Sequence, residues 1–165
     1  RLMGFDWNAA WKPLEKWEVS GTASVLSAWN KKADDWLVLM PADRFKLALT
    51  FSPDIPRLSG KMNKEKPVVG TAPYIRLGME HVFEQTRVPE NGDFTPPPAA
   101  YTLVNFEMGT GIPLPSLKSS TDQNLTLSLS VQNLFNTAYR DYLNRLRYFS
   151  HEMGRNVSVR IKYSF

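Results

Sequence analysis

Residues 156–165 read NVSVRIKYSF, and no other stretch constrains the fold as tightly. Val157, Val159, Ile161, Tyr163 and Phe165 fall on one side of an extended chain and Ser158, Arg160, Lys162 and Ser164 on the other, because successive strand residues point to opposite faces. The alternation runs to the last residue. Terminal residues fray unless something holds them, so this segment is expected to be a strand in use along its whole length, with Phe165 at its tip.

Working back, the same period-two pattern recurs six times, each run bounded by Pro, Gly, Asn or Asp, the mark of strands separated by turns. LTLSLSVQ (125–132) sets Leu125, Leu127, Leu129 and Val131 against Thr126, Ser128, Ser130 and Gln132. After the prolines at 96–98, Val104, Phe106 and Met108 alternate with Leu103, Asn105 and Glu107. APYIRLGMEHVF (72–83) and RFKLALTFS (44–52) repeat the pattern, as do Met3 to Trp11 and Trp17 to Trp29. The last two are joined across PLEK (13–16) and predict a tight hairpin. No 3.6-residue period is sustained; its best candidate, TAYRDYLNRLRYF (137–149), lies in a connection. The sequence therefore predicts an all-β chain, an antiparallel up-and-down meander of about seven strands of the length that spans a bilayer as a barrel wall.

The connections alternate in length. Those at 33–43, 85–100 and 137–154 are long, while 13–16 is tight and 112–124 moderate, as in a barrel with long loops at one end and short turns at the other. The long segment 52–67 on the turn side departs from this and reads as a tolerated insertion.

With 42% hydrophobic and 22% charged residues the chain has an ordinary globular composition, apart from five Trp among its aromatics and 12 Pro. Its net charge of +4 is dispersed, without the clustered basic patch and interleaved aromatics of a nucleic-acid site. Cysteine is absent, which removes disulfides and thiolate metal sites. No run approaches the roughly 20 apolar residues of a membrane helix. The opening RLMGFDW resembles neither a signal peptide nor an initiator segment and reads as the interior of a longer chain.

Alternation alone also fits a soluble β-sandwich, such as a carbohydrate-binding module whose Trp and Tyr stack on sugars. Three features favour a membrane barrel. Charges sit mid-strand on the polar face, at Arg76, Glu80, Arg160 and Lys162, which suits a hydrated lumen. Aromatics sit at strand ends, at Trp17 and Trp29, Phe45 and Phe51, Tyr163 and Phe165, where interfacial girdles lie. The third is the alternating, aromatic C-terminal segment itself.

These residues resemble the C-terminal barrel portion of a TonB-dependent outer-membrane receptor, over essentially all of 1–165. The most specific match is LSVQNLFNTAYRDYLNRLRYFSHEMGRNVSVRIKYSF (129–165). There Val131, Asn133, Leu134, Phe135, Asn136 and Tyr139 match the family's V-x-N-L-F-(D/N)-x-x-Y element, and Gly154, Arg155, Asn156 and Phe165 its G-R-N strand closing on Phe. EQTRVPENGDFTPPPAAYTLVNFEMG, LVLMPADRFKLALTFSP and MGFDWNAAWKPLEKWEVSG resemble further segments in family order, with Asp6 where Glu is usual. The resemblance implies an arc of a 22-stranded transmembrane β-barrel in the outer membrane of a Gram-negative cell. It implies active transport of a scarce nutrient, a ferric siderophore, haem, cobalamin or other metal complex, driven by TonB through a plug domain outside these residues. Val159, Ile161, Tyr163 and Phe165 would be read by the barrel assembly machinery, although Arg160 and Lys162 stand where the family's signal carries a Gly. The alternative in the same membrane is a passive porin-like barrel.

No catalytic constellation is present: G-x-S-x-G, H-E-x-x-H and a phosphate loop are all missing, and His81 and His151 lie far apart in sequence. We therefore expect no enzyme and no cofactor. His81 falls on the apolar face and is expected to be an interface or packed residue rather than a ligand. Candidate ligand contacts are Arg145, Arg147, Tyr148, His151 and Glu152 in the last long loop. The Arg side chains suit an anionic chelate and the imidazole and carboxylate a metal, although two ligands alone do not define a metal site.

Overall fold

The computed structural model describes residues 1–53, 73–90, 92–114 and 123–164. Its strands are β1 (Leu2–Leu14), β2 (Trp17–Asn30), β3 (Asp35–Trp36), β4 (Arg44–Phe51), β5 (Tyr74–Val82), β6 (Tyr101–Leu114), β7 (Gln123–Gln132) and β8 (Asn156–Ser164). Seven of them pair antiparallel in the order β1-β2-β4-β5-β6-β7-β8, each beside its neighbour in sequence, with no crossover. The eighth, β3, is two residues long and folds back on the end of β2, pairing Trp29 with Trp36 and Asn30 with Asp35. Their rings meet edge-on at 4.9 Å. Apolar periodicity carries no signal for so short a piece. Phe165 and the 54–72 part of the turn-side insertion lie outside the described residues.

Each predicted face is realised in the register. One row crosses all seven strands as Trp11, Val19, Leu49, Leu77, Phe106, Val131 and Val157. The adjoining row on the opposite face is Glu18, Thr50, Arg76, Glu107, Ser130 and Ser158. A slip of one residue between any two strands would put apolar side chains on the polar face; among the described residues the only register shift on the seven-strand path lies between Trp11 and Leu14 in the first hairpin.

The apolar row also shows how the strands lean. Trp11 lies near the turn end of β1, whereas Val157 is the second residue of β8, at the loop end. A line perpendicular to the strands thus climbs from one rim of the sheet to the other. That stagger is the tilt a sheet must have to curl into a barrel.

Among the described residues nothing covers the apolar face. Among the described residues 26 large hydrophobic side chains are exposed, including Trp11 at 68% and Val159 at 70%, against four buried apolar ones, Ala28, Ala42, Val82 and Tyr142. A sandwich would bury the strand members of the first group, such as Trp11 and Val159, against a second sheet; the described residues form one layer. Apart from Gly21 within β2, the buried residues lie at the loop end, where the long connections fold against the sheet. Aromatic side chains cap both rims of the apolar face. Trp17 stacks on Phe51 at 4.6 Å at the turn end, and Phe45, His81 and Phe83 cluster at the loop end. His81 is packed there as expected, its Nδ1 2.8 Å from Thr102 Oγ1.

Candidate functional site

The long connections 31–43, 83–100 and 133–155 emerge at one end of the sheet. How the last of them leaves β7 is decided by two asparagines. Asn133 and Asn136 have φ of 51° and 57°, a left-handed backbone that Asn tolerates better than most residues. Asn133 is buried and clasps Thr137 from both sides: its Nδ2 donates to Thr137 O at 2.9 Å and its Oδ1 accepts from Thr137 N–H at 2.8 Å. Its own N–H donates to Asn105 Oδ1 on β6, and Leu134 N–H donates to Val104 O. Asn136 Oδ1 accepts from Arg155 N–H at 2.8 Å, just before β8.

Five of the ten motif residues, Asn133, Leu134, Asn136, Gly154 and Arg155, thus shape the exit from β7, and Asn136 clasps it to the start of β8. Gly154 belongs to it because a Cβ there would sit 2.5 Å from Asn136 Oδ1. We expect Gly154→Val to break the Asn136–Arg155 bond and cost about 1–3 kcal/mol, read as a lower denaturant midpoint at unchanged slope. Phe135 stays exposed, and nothing in its contacts explains it.

Beyond the clasp the 137–149 segment forms only a short 3₁₀ turn, Arg145–Tyr148, begun by Asn144, whose side chain accepts from Leu146 N–H. Backbone–side-chain bonds at Asp141 and Asn144 compete with a longer helix. Arg147 on this turn is 2% exposed. Its guanidinium lies over the rings of Tyr142 and Tyr148, 4.3 and 4.9 Å from their centroids, and pairs with Asp93 of the preceding loop. Tyr148 OH donates to the other oxygen of Asp93.

The polar face beneath these loops is hollowed. A cavity of about 450 Å³ is lined by Glu80, Asn105, Glu107, Ser128, Ser130, Tyr139, Gly154 and Arg160 among others. A neighbouring one of about 380 Å³ is lined by Arg44, Glu80, Tyr101, Leu103, Tyr139, Asp141, Asn144 and Glu152. Lys46 Nζ sits 3.1 Å and Arg44 Nη1 4.0 Å from Glu80 Oε1. Tyr101 OH donates to Asp141 Oδ2 at 2.9 Å and its ring lies 4.5 Å from that of Tyr139. Asn144 Nδ2 donates to Glu152 Oε1.

Burial, then the carboxylates of Glu152, Asp141 and Glu80, push the Tyr139 phenol above its ordinary value of 10.0. A phenol that holds its proton more tightly when folded adds stability that is full below about pH 10 and fades as pH rises through the folded value. Tyr139→Phe is therefore expected to flatten the loss of stability above pH 10, followed by denaturation at graded alkaline pH.

Of the residues proposed from sequence as ligand contacts, Arg145 and His151 are exposed, Tyr148 and Glu152 are half-buried and Arg147 is buried. Arg147 and Tyr148 are bound to Asp93, and Glu152 to Asn144, with its N–H donating to Tyr139 O. Glu80, Tyr101, Asp141 and Asp93 were not singled out. Period-two alternation already placed Glu80 on the hydrated face, whereas nothing local marks Asp93. Among the described residues no group of three His, Cys, Asp or Glu side chains could hold a metal ion. No helix among them is long and apolar enough to cross a membrane, which has no bearing on strands.

No protein-family model, curated protein or solved structure matches the chain.

Proposed function

We propose that the chain is part of the wall of an outer-membrane receptor barrel of the TonB-dependent kind. Such a barrel captures a scarce nutrient, a ferric siderophore, haem, cobalamin or another metal complex, and imports it at the expense of the inner-membrane proton gradient. The observation that carries this reading is the single tilted sheet with an uncovered apolar face, rimmed by aromatics, and a hollowed polar face behind it. In water such a face would be a liability. In a bilayer it meets acyl chains, while the polar face meets the lumen.

The strand count supports a larger closed structure. With seven strands on the path, β1 and β8 run in the same direction, so joining them directly would make a parallel seam. An open edge in lipid leaves unsatisfied backbone groups that cost several kcal/mol each. An antiparallel closure needs an odd number of further strands, and a 22-stranded barrel would supply about fifteen. In this reading the partners are the lipid bilayer, the barrel assembly machinery acting on Val159, Ile161, Tyr163 and Phe165, and TonB through a plug domain.

The test has two stages. With the whole protein in vesicles containing brominated acyl chains, the fluorescence of Trp7 and Trp11 on the apolar face is expected to be strongly quenched. Tryptophans indifferent to the quencher would sink the barrel and favour a sugar-binding module. Cells lacking other receptors are then offered a panel of metal chelates. Uptake that stops when the proton gradient collapses supports the receptor; uptake that continues marks a passive porin-like barrel.

A further inference from the structure

Two buried polar side chains, Gln85 and Arg147, each join one long loop to another. Gln85 is 2% exposed and has its amide in use across the gap between 83–100 and 31–43. Its Nε2 donates to Met40 O at 3.0 Å and Pro41 O at 2.8 Å, while its Oε1 accepts from Arg87 N–H. Arg87 pairs with Asp43 beside it, and Phe83 N–H donates to Asp43 O at 2.9 Å. Arg147 makes the second junction, between 133–155 and 83–100, through Asp93.

Separately mobile loops keep their polar groups in water and share few buried bonds. Here the reverse holds. Parting 83–100 from 31–43 strips a buried amide of two acceptors, and parting it from 133–155 leaves a buried guanidinium facing two rings without its carboxylate. Breaking a buried polar network of this kind is costly, and these junctions hold although Arg87 Nε and Arg147 Nη1 are buried without a partner.

We infer that the three loops form one rim, assembled before any ligand arrives, with Gln85 and Arg147 as its positioning residues and 83–100 as its middle member. Neither side chain meets a ligand. Each holds a loop at a fixed distance from the next, so the hollowed polar face lies under a preformed wall and not under independently closing flaps. A push on one loop is passed to the other two. This inference concerns the loops alone and stands or falls independently of the membrane reading.

The chain contains no cysteine, so paired labels can be introduced cleanly. Spin labels at Lys32 and Thr95 report the first junction, and labels at Thr95 and Ser150 the second, in the whole protein without ligand. Both pairs are expected to give narrow distance distributions. Arg147→Met is expected to broaden the second pair at least twofold and leave the first unchanged, and Gln85→Leu to do the opposite. Where Arg147→Met does not fold, Arg147→Lys keeps the charge but not the two-ring stacking and is expected to broaden the same pair. Broad distributions in the unaltered protein, widths that no substitution changes, or a substitution that broadens both pairs alike would each overturn the inference.

Discussion

Arg in place of Leu127 is expected to destabilise the protein in a bilayer by about 2–4 kcal/mol, while Arg in place of Ser130, three residues along the same strand, costs less than about 1 kcal/mol. Leu127 lies mid-strand on the apolar face, between Thr110 and Ile161 in the register. If that face meets the bilayer as proposed, a guanidinium there has acyl chains around it and must snorkel or draw water into the membrane. Ser130 lies on the other face, between Glu107 and Ser158, where a new cation finds a carboxylate as neighbour and loses one hydroxyl contact, the 2.9 Å bond to Ser158 Oγ. Denaturant unfolding of both variants from vesicles gives the comparison. Equal costs would mean that neither face meets hydrocarbon, and a larger cost at Ser130 would turn the sheet inside out.

The faces that decide this experiment were legible in the sequence because strand geometry places every second side chain on one side. Once Val157, Val159 and Ile161 are assigned a side, pairing β8 antiparallel with β7 brings Val131, Leu129 and Leu127 opposite them, and the same logic passes from strand to strand back to Trp11. That the apolar face is bare was also foreshadowed, since charges such as Arg76 and Arg160 leave the other face unfit to be a core. What a local pattern could not reveal is any contact whose partners lie far apart. The two-residue β3 is too short to show a period. Arg147 reads as a loop cation available to a ligand; only its meeting with Asp93, 54 positions earlier, shows that it is engaged within the protein. The asparagines of the clasp stood between these cases. They carry part of the resemblance, but their task, a left-handed turn that reaches from β7 to β8, belongs to backbone dihedrals that residue names only permit.

That engaged arginine yields the second large effect, and its test is an asymmetry. Asp93→Ala is expected to weaken the last loop by about 3–5 kcal/mol, because it leaves a guanidinium buried between Tyr142 and Tyr148 with no counter-charge and deprives Tyr148 OH of its acceptor. Arg147→Ala is expected to cost less, about 2 kcal/mol, since Asp93 is the more exposed partner, its side chain at 17% against 2%, and recovers water when released. Replacing both, Asp93→Ala with Arg147→Met, removes the charges together and leaves an apolar chain against two rings, so it should cost less than Asp93→Ala alone. The reporters are the amides of Phe149 and Ser150, both donating to Leu146 O at 2.9 and 3.0 Å. Each 1.4 kcal/mol lost in local opening speeds their exchange about tenfold, so Asp93→Ala should accelerate them by about two to three and a half orders of magnitude, and the double variant by far less. If the double variant exchanges as fast as Asp93→Ala, the stranded charge is not the source of the cost, and Asp93 holds the loop through Tyr148 alone.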